Sequence, residues 1–156
     1  MHHIEPNIRN AVRAVIIRNN RILLVKKVYE DGSQKYSLPG GAQDPGEPLT
    51  TALMRECEEE IGTEVSIDSL LHVADWFKPR NTIPPSTRHL VEFLFVCTVD
   101  DSYTPKNGSR PDKHQLEVVW VELDRLHNIP FHPRSLSAFL PSGQQNKAAI
   151  YLGEIT

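Results

Sequence analysis

The sequence predicts a strand-rich α/β domain with one strong helix near its centre. Extended segments rich in apolar and β-branched residues lie on both sides of residues 48–62, and this segment itself repeats its apolar residues every four positions. Periods of two and of about 3.6 residues distinguish strands from helices. The length of 156 residues predicts a single domain over residues 1–156, because domains commonly run to about 100–200 residues.

The segments before the helix predict strands joined by turns. Ala11–Ile17 and Arg21–Val28 are both strand-like, and Asn19-Asn20 lies between them. Asn tolerates positive φ, so this spacing favours a hairpin. A short extended piece at Tyr36–Leu38 then runs into Pro39-Gly40-Gly41, where two glycines allow a sharp bend and a close approach to a ligand.

The helix begins at Pro48 and ends before Gly62. Proline is tolerated in a first helical turn, and glycine is a common C-terminal stop. The apolar stripe that predicts the buried face consists of Leu49, Leu53, Cys57 and Ile61.

The rest of the chain predicts further strands and two long loops. The loops, at Lys78–Thr87 and Asp100–Gln115, are long enough to be lids or binding loops. The remaining predicted elements are strands at Val65–Phe77, Arg88–Val99 and Leu116–Val121, a short helix at Pro133–Leu140 and a weak strand at Ile150–Ile155.

Composition restricts the function. A formal net charge of −3 disfavours general nucleic-acid binding. No apolar run approaches the roughly 20 residues of a membrane helix, and the N-terminus lacks a signal-peptide pattern. Cys57 and Cys97 are predicted to be buried thiols, which fits a reducing compartment. The sequence therefore predicts a cytoplasmic protein without a membrane partner.

Three glutamates share one face of the predicted helix. Glu56, Glu59 and Glu60 are spaced so that their side chains are neighbours. Their mutual repulsion would be relieved by a divalent cation, which prefers oxygen ligands. Arg55 could hold a neighbouring carboxylate by a forked hydrogen bond. A glutamate-rich helix is also compatible with a plain solvated surface.

Taken with the glycine loop, this helix resembles the Nudix box. The segment from Gly41 to Thr63 has the family's spacing, and Thr63 is a mild departure at a position that is normally apolar. The resemblance implies the Nudix fold, a mixed sheet sandwiched between helices (α/β/α), and a pyrophosphohydrolase that acts on a nucleoside diphosphate linked to another group. The matching fixed positions are Gly41, Glu47, Arg55, Glu56, Glu59, Glu60 and Gly62.

The resemblance also implies roles for individual residues. Glu56, Glu59, Glu60 and the carbonyl of Gly40 would hold Mg²⁺ or Mn²⁺. Glu47 and Arg55 would support these ligands, and Glu56, Glu59 and Arg55 would form the catalytic set. The general base stays open between a box glutamate, Glu56 or Glu59, and an acid or imidazole further along the chain. The candidates there are Asp112, His114 and Glu117.

Residues outside the box leave the substrate open. Trp76 and Trp120 could stack on a base, although core packing is the simpler interpretation. The basic residues, which include Arg13 and Lys27, could contact phosphate or simply be solvated. ADP-ribose, another nucleotide sugar and a nucleoside triphosphate all remain candidate small-molecule substrates.

Other functions and an assembly also stay open. A nucleotide-sensing module without turnover is the main alternative, and the intact box disfavours it. An RNA-decapping enzyme would need a basic surface, which the acidic charge balance of this sequence disfavours. An isomerase of isoprenoid diphosphates would need additional catalytic residues, and the sequence does not indicate where they would lie. A homodimer is compatible with the family but is not required by any pattern in the sequence.

Overall fold

The fold is a nine-stranded mixed sheet with one α-helix packed on it. The computed structural model describes residues 3–140 and 149–156. Within these residues the helices are α1 at Leu49–Ile61 and two 3-10 helices at Leu123–Asn128 and Arg134–Ala138. The strands are β1 His3–Ile4, β2 Arg9–Arg18, β3 Arg21–Val28, β4 Gln34–Ser37, β5 Gly40–Ala42, β6 Ser66–Arg80, β7 Ser86–Thr98, β8 Gln115–Glu122 and β9 Tyr151–Ile155.

Strand β2 is central to the sheet. It runs parallel to β7 and antiparallel to β5, and its end forms the predicted hairpin with β3. Asn19 and Asn20 form the turn with φ of 54° and 60°, as their residue type predicted. Strand β3 continues the sheet through β4 and β8.

Alternation along β2 divides the core into two layers. Val12, Ala14 and Ile16 face α1, whereas Val15 faces a second cluster that contains Leu126 and Leu136. Successive side chains of a strand point to opposite faces, so one strand supplies both layers. The predicted sandwich is confirmed, with the difference that 3-10 helices cover the second face.

The predicted helix is confirmed almost to the residue. Leu53, Cys57 and Ile61 are buried, and Pro48 caps the N-terminus in extended conformation. Gly62 ends the helix with a φ of 71°, and its N–H bonds to the carbonyl of Cys57. Cys57 and Cys97 are buried free thiols, as predicted.

Two predicted boundaries were wrong. Strand β6 extends to Arg80 and β7 begins at Ser86, so half of the predicted loop at Lys78–Thr87 is paired strand. The carboxylate of Glu5 lies 3.0 Å from Arg88 Nη2 and 3.7 Å from Arg80 Nη1, which offsets the charge of this extension. The predicted helix at Pro133–Leu140 is only a 3-10 helix. No helix in the described ranges is long and apolar enough to cross a membrane.

Candidate active site

Arg55 lies at the centre of a cluster of acidic side chains. Its guanidinium donates to both carboxylate oxygens of Glu47, at 2.6 and 3.2 Å, and to the carbonyl of Ala42 at 3.1 Å. It also donates to Oε1 of Glu56 at 3.1 Å and of Glu59 at 3.3 Å. Bonding to Arg55 lowers the pKa of Glu47. One cation therefore fixes three carboxylates and the loop before the helix.

Glu60 is held apart from this cluster. Only 7% of the residue is exposed, and its Oε1 accepts a 3.0 Å hydrogen bond from the N–H of Gly40. Burial raises the pKa of Glu60 to about 7, although Gly40, Arg13 and Lys27 oppose the shift. Burial therefore outweighs the stabilisation that Gly40 and the two cations give to the charged form of Glu60.

The two glycines of the loop bring its backbone against other groups. A Cβ at Gly41 would lie 2.5 Å from Oε2 of Glu56. Gly40 has a φ of 143°, and a Cβ there would lie 1.8 Å from the carbonyl oxygen of Val12. Only glycine fits at either position without movement of its neighbours. The groups that the backbone approaches at this bend are the Glu56 carboxylate and the Val12 carbonyl, whereas the close approach to a ligand expected from the sequence stays a prediction.

The long loop before β8 caps the C-terminal end of α1. The carbonyl of Glu59 accepts from the N–H of Arg110 at 2.9 Å. The carbonyl of Glu60 accepts from the N–H of Gly108 at 3.0 Å and from Nε2 of Gln115 at 2.8 Å. These contacts satisfy carbonyls that a helix end leaves without partners. The loop thus supports the helix that carries the glutamates.

The three downstream candidates for a base have different surroundings. Asp112 lies 2.6 Å from Lys27, which outweighs the effect of burial and lowers the pKa of the Asp112 carboxyl. The ring of His114 packs against Tyr29 at a centroid distance of 4.6 Å. Glu117 is half exposed, with Lys26 at 3.8 Å. Of the three, only Asp112 pairs with a cation that also acts on Glu60.

Charged residues that the sequence left ambiguous also lie near the box. The charge of Arg13 acts on Glu56 and Glu60, and its Nε donates to Glu92 at 3.0 Å. In the sequence, the signal for a role of Arg13 was a charged residue within an otherwise apolar predicted strand. Trp120 packs on the α1 side of the core below Arg18, whereas Trp76 packs on the other layer. The predicted core packing is thus present for both tryptophans.

A mixed sheet, a glycine bend and a helix with an acid cluster around an arginine are the features that the Nudix resemblance implied for this chain. A model of the NUDIX domain matches residues 7–141, and the chain belongs to the NUDIX family. The resemblance noted in the sequence is thereby confirmed.

Relatives from several organisms support this assignment. The chain is 38% identical over 89 residues to an ADP-ribose pyrophosphatase of Methanocaldococcus jannaschii, a match that covers 57% of this chain and 50% of that protein. It is 30% identical over 130 residues to the low-salt glycan biosynthesis protein Agl8 of Haloferax volcanii, which covers 82% and 80% of the two chains. The chain thus spans only half the length of the first relative.

A solved structure supports the fold. The crystal structure of a MutT NUDIX hydrolase from Burkholderia pseudomallei superposes with a TM-score of 0.66 at 27% identity. The superposition covers 86% of this chain and 98% of that chain.

Proposed function

We propose that the chain is a divalent-metal-dependent hydrolase that cleaves the diphosphate bond of a nucleoside diphosphate linked to another group. The observation that carries this proposal is the grouping of Glu47, Glu56, Glu59 and Glu60 around α1, three of which accept hydrogen bonds from Arg55. Arg13 and Lys27 also act on Glu60, but they are paired with Glu92 and Asp112. The four carboxylates around Arg55 therefore leave an excess of negative charge. The similarity to a pyrophosphatase over part of the chain supports the same reaction.

The donor atoms fit Mg²⁺ or Mn²⁺. Glu56, Glu59 and Glu60 use only Oε1 in hydrogen bonds among the described residues, so each has a second oxygen to offer. Carboxylate oxygens are the ligands that hard cations prefer. No three acidic, histidine or cysteine side chains in the described ranges already form a complete metal-binding group. Binding would therefore require these side chains to move, and the carbonyl of Gly40 would be a further ligand.

In this mechanism the protein positions groups that act on the diphosphate. A bound divalent ion would neutralise the phosphate charge, orient the phosphates and lower the pKa of an attacking water. Arg55 and Glu47 hold Glu56 and Glu59 in place, and Gly41 leaves room for the Glu56 carboxylate. A box glutamate, Glu56 or Glu59, is the simplest general base. Asp112, His114 and Glu117 remain the alternatives to be tested by substitution.

The test is phosphate release with Mg²⁺ and then Mn²⁺ across nucleotide sugars, dinucleoside polyphosphates and nucleoside triphosphates. We expect metal-dependent cleavage of one class, with products that locate the broken bond. Glu59→Gln and Glu60→Gln should each lower turnover by about a hundredfold or more, because they remove ligand charge at the reacting centre. The control is Glu58→Gln on the exposed part of the helix. Tight binding of a nucleotide without turnover of any compound would contradict the proposal and favour the sensor.

A further inference from the structure

A pocket with several cationic side chains lies beside the acid cluster. Arg13, Lys27, Lys35 and Lys78 line it, and Glu92 is the one acid among the described residues of its wall. The charges of Arg13 and Lys27 also act on Glu60, so the pocket borders the box.

The register of the sheet brings two of these lysines together. Lys27 of β3 and Lys35 of β4 are direct partners on antiparallel strands. Like charges placed directly opposite each other destabilise a sheet. Lys27 is neutralised by Asp112 at 2.6 Å and Arg13 by Glu92 at 3.0 Å. Within the described part of the chain, Lys35 and Lys78 have no carboxylate within 4.0 Å.

Lys35 and Lys78 are partly buried against aromatic rings. Lys78 Nζ lies 5.4 Å from the ring centroid of Trp76, and Lys35 Nζ lies 5.6 Å from that of Tyr29. Burial, together with the charges of Arg13, Lys27 and Lys35, lowers the pKa of Lys78 to about 8. Burial and Lys27 also lower the pKa of Lys35. The aromatic contacts therefore do not remove the cost of holding these cations together.

Glu92 does not neutralise the pocket either. The residue is completely buried, and one carboxylate oxygen is taken by Arg13. Its other oxygen, Oε2, is buried without a hydrogen-bond partner among the described residues. Oε2 can only accept a hydrogen bond, so a donor such as water would satisfy it, and it does not attract an anion. The excess of positive charge at Lys35 and Lys78 is the feature of this pocket that favours a bound anion.

We propose that this pocket binds a phosphate group of the substrate that lies next to the diphosphate cleaved at the box. This inference rests on the proposed function and specifies its substrate class. The preferred substrates would carry a further phosphate, as in a nucleoside triphosphate or a sugar phosphate diphosphate. An uncharged terminal sugar, as in ADP-ribose, would leave Lys35 and Lys78 without an anion.

The first experiment measures anion binding without turnover. Inorganic triphosphate is titrated into the full chain in the presence of a chelator, by calorimetry. Lys35→Met and Lys78→Met should each weaken binding by about tenfold, because each removes a charge-assisted contact. Lys106→Met is the matched control, since Lys106 is exposed and lies outside the pocket. Absence of binding to the wild type, or equal weakening in the control, would overturn the inference.

The second experiment compares substrates. We compare kcat/KM for a nucleoside triphosphate with kcat/KM for ADP-ribose. The ratio of these two values should fall about tenfold in Lys78→Met, because only the triphosphate places a further anion beside Lys78. Phosphoribosyl diphosphate distinguishes a phosphate on a sugar from one on a nucleotide. An equal fall for all substrates would overturn the inference, because the lysine would then act on the diphosphate they share.

The two proposals fail in different ways. If Lys78→Met still hydrolyses substrates and keeps the wild-type preference for triphosphate over ADP-ribose, the phosphate pocket is overturned and the hydrolase proposal stands. Lysine-dependent triphosphate binding without hydrolysis of any compound supports the pocket and overturns the hydrolase.

Discussion

The acid cluster on α1 and the cationic pocket beside it are opposites in charge but alike in construction. In the cluster, Arg55 is the cation that holds Glu47, Glu56 and Glu59. In the pocket, four cationic side chains and one acid, Glu92, are present among the described lining residues. In each region the side chains of one sign outnumber the partner of opposite sign that lies among them.

The difference indicates what each region binds. Excess carboxylates attract a divalent cation, and excess ammonium groups attract an anion. A diphosphate substrate with its metal carries both signs. The adjacency of the two regions, through Arg13 and Lys27 beside Glu60, is therefore suited to such a complex.

The largest expected effect comes from removing the acid of the pocket. Glu92→Ala should lower the free energy of unfolding by about 3 kcal/mol, because Arg13 would lose its partner inside the protein. Urea denaturation measures the loss. Glu117→Ala is the control: its partner Lys26 lies 3.8 Å away at a half-exposed site, and the expected loss is below about 1 kcal/mol. Equal losses in the two variants would mean that the buried position of Glu92 has no special role.

The next effect concerns the acid cluster. Gly41→Ala would place a Cβ 2.5 Å from Oε2 of Glu56, so the carboxylate must shift. Activity should fall about a hundredfold while the fold is kept, because a displacement of about 1 Å at a reacting centre can cost that much.

A double-mutant cycle separates this effect from general damage. If Gly41→Ala acts through Glu56, the double variant with Glu56→Gln should be no less active than Glu56→Gln alone. Additive losses in kcat would contradict the steric explanation and place the cause elsewhere in the loop.

These two regions were not equally accessible from sequence. The box was predictable because Arg55, Glu56, Glu59 and Glu60 lie on one helix, where spacing alone determines which side chains are neighbours. Its glycine bend is also local. The direction of each carboxylate was not predictable, and Glu60 bonds to Gly40 rather than to Arg55.

The pocket was not predictable because its residues come from distant segments. Lys27 and Lys35 are neighbours through the pairing of β3 with β4, and Lys78 belongs to a part of β6 that the sequence assigned to a loop. Strand register depends on pairing partners that a single sequence does not specify. The same applies to the capping loop, whose contacts with α1 depend on tertiary packing.

A smaller effect tests the centre of the acid cluster. Arg55→Lys keeps the charge but cannot form the fork to Glu47 or reach Glu56 and Glu59 simultaneously. Activity should fall about tenfold or more, as for other residues that orient ligands. The loss of activity should appear mainly in kcat. The metal concentration that gives half of the maximal rate should also rise. An unchanged metal dependence would mean that Arg55 does not position the glutamates.

The smallest effect has the opposite sign and tests the pocket through stability. Burial and neighbouring cations lower the pKa of Lys78 from 10.5 to about 8, so between these pH values the folded protein binds fewer protons than the unfolded chain. Stability contributed by this group therefore rises with pH across that window. At pH 7 its charge opposes folding, and Lys78→Met should raise the free energy of unfolding by about 1 kcal/mol.

This gain should shrink as the pH rises from 8 towards 10.5, whereas Lys106→Met should show neither the gain nor the trend. Unfolding in urea at a series of pH values, without phosphate in the buffer, measures both. A Lys78→Met variant that is less stable than the wild type at pH 7 would mean that packing of the lysine on Trp76 outweighs the charge repulsion. A variant that is more stable than the wild type but binds triphosphate more weakly would show instead that the charge of Lys78 lowers stability and favours anion binding.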